Sequence, residues 1–161
     1  MTELHTGPLS EKDALLRYLD GQRRSLLRKL DGLTDEEARS TPTASSLSLL
    51  GLIHHVASVE RRWVQAALAE QDEVPGVWPP GDRDAELDGA HRTIAEVRAF
   101  YEQVLRENQP ILDRIDDLDR VLASTMTGRS ILLHLLEEVS RHAGHADILR
   151  ESIDGATEPP D

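Results

Sequence analysis

Apolar residues recur at helical spacing along most of this sequence, whereas stretches that alternate apolar and polar residues are nearly absent. Aromatic residues make up only 3% of the chain, and valine and isoleucine are scattered, so residues that favour β-strands are few and not clustered. The pattern predicts an all-α protein, and four apolar stripes predict a four-helix bundle. The first stripe consists of Leu15, Leu16, Leu19, Leu26, Leu27 and Leu30.

Capping residues, prolines and glycines predict where the four helices begin and end. We expect the first helix over about 10–32, the second from Ser45 or Ser46 to about 69, the third over about 88–116 and the fourth over about 128–153. Thr34 and Glu37 predict a short capped turn, Pro110 a kink or split in the third helix, and Gly155 the end of the fourth.

The chain is expected to form a single domain over 1–155, followed by a disordered tail over 156–161. The segment 71–84 is rich in proline and glycine and predicts a loop, whose Trp78 could cover the mouth of a cavity.

Charge and cysteine content exclude several classes of protein. The formal net charge is −12, so nucleic acids and anionic membranes are not expected as partners. The sequence has no cysteine, which excludes disulfide bonds, a thiolate nucleophile and zinc sites of the cysteine type. A short polar N-terminus and the lack of a long apolar run predict a cytoplasmic protein.

The fourth helix directs an imidazole and a carboxylate toward the interior. Each residue advances about 100° around the helix axis. With Ile131, the start of the apolar stripe, set at zero, His142 falls at about 20° and Glu138 at about 340°. His134, His145 and Arg141 lie further out, at about 280–320°. Glu138 and His142 are one turn apart and could reach one divalent ion, which would offset the cost of burying a charged carboxylate. The alternatives are a buried Glu–His hydrogen bond, or a Glu138 that turns outward to Arg141.

The second helix adds further candidates. His54 and His55 flank its apolar stripe on opposite sides, and periodicity does not choose between them. Glu60 falls inside the stripe, where it could accept a hydrogen bond from a ring N–H or from a buried arginine; alternatively it is a rim residue paired with an arginine. Trp63 lies about two turns past His55, where it either walls a pocket or fills the core.

Two segments carry a resemblance to a known family, SLSLLGLIHHVASVERRW at 46–63 and ILLHLLEEVSRHAGHADILRE at 131–151. They resemble the DinB-like superfamily of metal-binding four-helix bundles. That family places a ligand histidine before a hydrophobic residue, with an acidic residue five places further on. His55, Val56 and Glu60 match this pattern, so the resemblance selects His55 over His54 as the ligand.

In the fourth helix the family pattern is His-x-x-x-His-x-Gly, and His142 and Gly144 match its second half. Glu138 stands at the place of the first histidine. The same departure is found in the mycothiol-dependent branch, which includes maleylpyruvate isomerases and binds its metal with two histidines and one glutamate.

The resemblance implies one divalent metal ion held by His55, Glu138 and His142, with zinc first and nickel, iron or manganese as alternatives. Three protein ligands leave a coordination position open, as in catalytic sites. The implied activity is that of a thiol S-transferase or thiol-dependent isomerase, with a low-molecular-weight thiol such as mycothiol and a small electrophile as substrates. A homodimer is implied by analogy.

Glu60 and His145 are the candidates for supporting the ligands or transferring protons, and the alternative for His145 is a histidine that faces solvent. Two other functions stay open at this point: a non-catalytic metal-binding stress or interaction protein, and a metal-free helical adaptor.

Overall fold

The computed structural model describes residues 8–71, 74 and 91–157. The predicted loop over 71–84, with Trp78, lies outside the described residues except for Gln71 and Val74, as does the tail beyond residue 157. The helices are α1 (Glu11–Arg28), α2 (Asp35–Arg39), α3 (Leu49–Arg61), which continues as a π-helical segment (Arg62–Leu68), α4 (Ile94–Asp113) and α5 (Gly128–Asp154).

The predicted all-α bundle is confirmed. The first to fourth predicted helices are α1, α3, α4 and α5, and the short turn predicted at Thr34 is α2, which begins with the expected capping box to Glu37. Among the described residues, β-pairing is limited to one isolated bridge between Val121 and Thr127.

Helix boundaries differ from the prediction at several places, and the third predicted helix extends over Ile94–Asp113 rather than about 88–116. The second predicted helix begins after Ser48 rather than at Ser45 or Ser46, because the Ser48 hydroxyl accepts the N–H of Gly51 at 3.1 Å. The first helix ends at Arg28, before a turn in which Gly32 has a φ of 77°. Pro110 does not split α4, because it lies in the last turn, where the missing N–H removes one hydrogen bond without separating two helical segments.

Helices α1 and α5 lie side by side and run in the same direction. Arg129, in the first turn of α5, donates to Glu11 at the start of α1 with an Nε–Oε1 distance of 2.7 Å. Arg150, near the end of α5, donates to the carbonyl of Lys29 just past the end of α1 at 2.8 Å. Gly155 then ends α5 in the left-handed conformation, as the sequence predicts.

Helices α3 and α4 are also parallel to each other. The ring of His54 stacks on Phe100 with centroids 4.9 Å apart, and further along both helices Gln65 donates to Asn108 at 3.0 Å. Leucine, isoleucine and valine side chains from all four long helices are buried between them, each contributing roughly 1.5–3 kcal/mol. This core fixes the faces that α3 and α5 turn toward each other.

Candidate metal centre

One group of side chains has the composition and spacing of a metal site. His55 on α3 and Glu138 and His142 on α5 each offer a ligand atom, and these atoms all lie within 4.8 Å of one another. Within the described part of the chain, no other set of histidine and acidic side chains meets this condition. All three residues are half-buried, so the group lies at the edge of the core rather than deep inside it.

Helix geometry explains how the three side chains meet. Glu138 and His142 are one turn apart on α5, and their facing atoms, Oε2 and Nε2, are 3.5 Å apart. His55 approaches from α3, with its ring centroid 5.0 Å from that of His142. The sequence alone placed Glu138 and His142 together, whereas the approach of His55 depends on how the helices pack.

His54 and His55 are separated by the bundle itself. His54 is buried and stacks on Phe100 of α4, whereas His55 faces His142 of α5. Consecutive residues on a helix point about 100° apart, so only one of them can face α5. The structure therefore brings His55, the histidine favoured by the resemblance, to the two residues of α5.

Glu138 takes part in two of the arrangements that the sequence left open. Its Oε1 accepts from Nη1 of Arg141 at 2.7 Å, while its Oε2 faces His142. Arg141 also bonds the neighbouring Glu137. Because a carboxylate has two oxygens, an outward ion pair and an inward metal ligand are compatible in one side chain.

The electrostatics of the group favour a neutral imidazole at His142. Burial and, next, the nearby His55 lower the pKa of His142 to about 4, although Glu138 acts in the opposite direction. The neutral form is the one that donates a lone pair to a metal ion. His142 is therefore ready to act as a ligand at neutral pH.

The other histidines of α5 lie around this group. His145 is exposed, and its Nδ1 is 3.4 Å from Nδ1 of His142. His134 is half-buried, and its ring lies 4.4 Å from that of Trp63. Both are on the outer side of the apolar stripe, as helix periodicity predicts.

Glu60 is buried inside the bundle rather than at its rim. Its side chain is 0% exposed and accepts from Nε of buried Arg23 at 3.0 Å and from the hydroxyl of Tyr101. The prediction that Glu60 accepts a hydrogen bond from a buried arginine is therefore confirmed, and the alternative that Glu60 lies at the rim is wrong. A role for Glu60 in proton transfer stays a prediction.

Sequence reasoning did not single out Arg23 or Tyr101, the two partners of Glu60. A signal for Arg23 exists, because it lies on the same helical face as Leu19 and Leu26 and so interrupts the leucine stripe of α1. Burial and the negative charge of Glu60 raise the pKa of Tyr101 well above its usual range, although Arg23 acts in the opposite direction. The network joins α1, α3 and α4.

None of the described helices combines the length and the apolar character needed to cross a membrane. An all-α bundle with two histidines and a glutamate converging from two helices defines a class of candidate metalloproteins.

Comparison with known proteins then identifies the family. A sequence model of the mycothiol S-transferase family matches residues 14–155, so the chain belongs to this DinB-like family. The resemblance noted in the second and fourth predicted helices is thereby confirmed. A search of curated proteins finds no match.

The fold also occurs in a solved structure. A conserved protein from Enterococcus faecalis superposes with a TM-score of 0.68 at 15% sequence identity, over 92% of this chain and 100% of the other. At this level of identity the similarity concerns the fold alone.

Proposed function

We propose that this protein binds one divalent metal ion through His55, Glu138 and His142 and transfers a low-molecular-weight thiol to a small electrophile. The observation that carries the proposal is the convergence of three ligand atoms within 4.8 Å, from helices that are far apart in sequence. Membership of the mycothiol S-transferase family supports the reaction class and makes mycothiol the first thiol to test.

The donor set fits a catalytic metal better than a structural one. Two neutral imidazoles and one carboxylate leave at least one coordination position for a molecule from solution. Zinc is the first candidate, and nickel, iron and manganese also accept such ligands. A bound divalent ion would lower the pKa of a coordinated thiol and hold it as the thiolate.

His145 supports the ligand His142 in this proposal. The Nδ1 atoms of His142 and His145 are 3.4 Å apart, so when His142 binds the metal through Nε2, its Nδ1–H donates to Nδ1 of His145 and this tautomer is held. A metal-binding histidine commonly donates its second ring N–H in this way. In this arrangement the lone pair of His145 is engaged by His142, so the proton of an incoming thiol passes to solvent.

The sulfur must come from outside, because the chain has no cysteine. In the proposed reaction the thiol gives up its proton to solvent, and a sulfur electron pair forms a bond to the electrophilic carbon. A leaving group then departs with its bonding electrons or, in an addition to a double bond, the adjacent carbon takes up a proton. Both reactions require the thiolate and the electrophilic carbon to be held close together in the site.

The test compares metal-free and zinc-loaded protein with mycothiol and chlorodinitrobenzene as substrates. We expect turnover only with the metal, its loss in His142→Ala, and its retention in Glu137→Gln, which changes a neighbouring exposed carboxylate. Equal turnover with and without metal would contradict the proposal. Metal binding without turnover across several thiols and electrophiles would instead support a non-catalytic metal-binding protein.

A further inference from the structure

Two rows of side chains face each other across the junction of α3 and α5. On α5, His134, Glu138 and His142 follow one another at intervals of four residues, so they form one row along the helix. On α3 and its π-helical continuation, His55 and Trp63 are eight residues apart, and each contacts a member of this row. His55 meets His142 and Trp63 meets His134, so the two helices are antiparallel here.

The two ends of this double row have different chemistry. At one end lie the three candidate metal ligands; at the other the Trp63 and His134 rings contact each other, with centroids 4.4 Å apart and planes inclined at 59°. With a rise of 1.5 Å per residue, His134 lies about 6 Å along α5 from Glu138 and about 12 Å from His142. A ring-sized molecule bound at the second end is therefore within reach of the first.

Trp63 also lies in an unusual backbone. The segment Arg62–Leu68 is π-helical, and it closes with the N–H of Ala69 donating to the carbonyl of Val64 at 2.9 Å. Such segments are rare and occur frequently at functional sites, because the additional residue per turn changes where side chains point. Trp63 is half-buried, packs partly against the core and keeps part of its surface accessible.

We propose that Trp63 and His134 form a platform that binds the electrophile, and that the electrophile is a planar conjugated molecule. This inference rests on the proposed thiol transfer. The indole face offers stacking to a flat ring, and the pair contains no carboxylate or guanidinium that would select a charged acceptor. The imidazole of His134 can hydrogen-bond a polar substituent of that ring. The platform would thus set acceptor specificity, while the metal centre receives the thiol.

The kinetic test compares an aromatic acceptor, chlorodinitrobenzene, with an aliphatic one, iodoacetamide, in zinc-loaded protein with mycothiol. In Trp63→Leu we expect the ratio of the aromatic KM to the aliphatic KM to rise by about 3–10-fold, because the stacking surface is lost. The matched variant Trp63→Phe keeps an aromatic face, so its KM ratio should stay close to that of the unmodified protein. Equal KM ratios in all three proteins would overturn the inference and leave the thiol transfer intact.

A binding test works without turnover. The chain has two tryptophans, so Trp78→Phe leaves Trp63 as the sole tryptophan, whose emission can be excited selectively. We expect the unreactive 1,3-dinitrobenzene to quench its fluorescence in a saturable manner, with weaker binding when His134→Leu is added. Quenching without saturation would overturn the platform. Saturable quenching in a protein that turns over neither acceptor would support the platform and refute the thiol transfer.

Discussion

The imidazole rings of His55 and His142 stand nearly perpendicular, at 83°, with their centroids 5.0 Å apart. Two imidazolium groups at this distance would repel each other, and His55 contributes to the low pKa of His142. The neutral ring of His142 is therefore favoured as a donor, with His55 and the carboxylate of Glu138 beside it. A divalent cation would be attracted to this arrangement, whereas protons are disfavoured at His142.

Replacing Glu138 with glutamine should weaken metal binding strongly. The variant keeps the shape of the side chain but removes its charge, so we expect the dissociation constant for zinc to rise by about 100-fold or more. Isothermal titration calorimetry of the metal-free protein measures this change.

Glu137→Gln is the matched control for that substitution. Glu137 also bonds Arg141, but its side chain is 62% exposed, against 16% for Glu138. We expect zinc affinity within about threefold of the unmodified protein, because an exposed ion pair contributes little. Equal losses of affinity in both variants would show that only the general negative charge of this surface matters.

The buried network around Glu60 should be important for stability. Arg23→Met leaves the Glu60 carboxylate buried without its cation, which we expect to cost about 3–5 kcal/mol in the free energy of unfolding. Tyr101→Phe removes one hydrogen-bond donor and should cost about 1–3 kcal/mol. Urea denaturation of the metal-free protein measures both values.

Arg24→Met provides the comparison for Arg23→Met. Arg24 is the next residue of α1 and is exposed, so its replacement should change stability by less than about 0.5 kcal/mol. Similar effects of the two substitutions would mean that the ion pair with Glu60 contributes no more than a surface charge.

The raised pKa of Tyr101 predicts a loss of stability at alkaline pH. The folded protein holds the phenolic proton more tightly than the unfolded chain does. This stabilisation is therefore fully present below the unfolded pKa of about 10 and is lost as the pH rises toward the folded value. Tyr18→Phe leaves Tyr101 as the only tyrosine, so its near-ultraviolet absorbance reports this group alone.

In that variant, we expect the tyrosinate signal to rise together with the loss of helical circular dichroism, in one cooperative transition. A gradual rise in tyrosinate absorbance while the helices remain intact would show that the Tyr101 hydroxyl titrates in the folded state.

Much of the fold follows from local signals in the sequence. The leucine stripe of α1 and the Thr34–Glu37 capping box of α2 act within a few residues and locate these two helices, although α1 ends at Arg28 rather than near residue 32. The start of α3 was misplaced because Ser45, Ser46 and Ser48 are equally good capping residues by type. The π-helical segment was not predicted, because its sequence is also compatible with an ordinary helix.

In the candidate site, too, contacts within one helix are predictable from the sequence, whereas contacts between helices are not. Glu138 and His142 are neighbours on one helix, so periodicity alone brings them together. The choice of His55 over His54 depends on which neighbouring helix each faces, and this is a property of the packed bundle. The partners of Glu60 lie on α1 and α4, which no spacing rule connects.

The most direct test of the metal centre compares His55→Gln with His54→Gln by equilibrium dialysis against zinc and elemental analysis of the folded proteins. We predict one zinc ion per chain in the unmodified protein and in His54→Gln, and a loss of affinity of at least about 100-fold in His55→Gln. Helical circular dichroism confirms that each variant is folded. One tightly bound zinc ion in folded His55→Gln would contradict a site built from His55, Glu138 and His142.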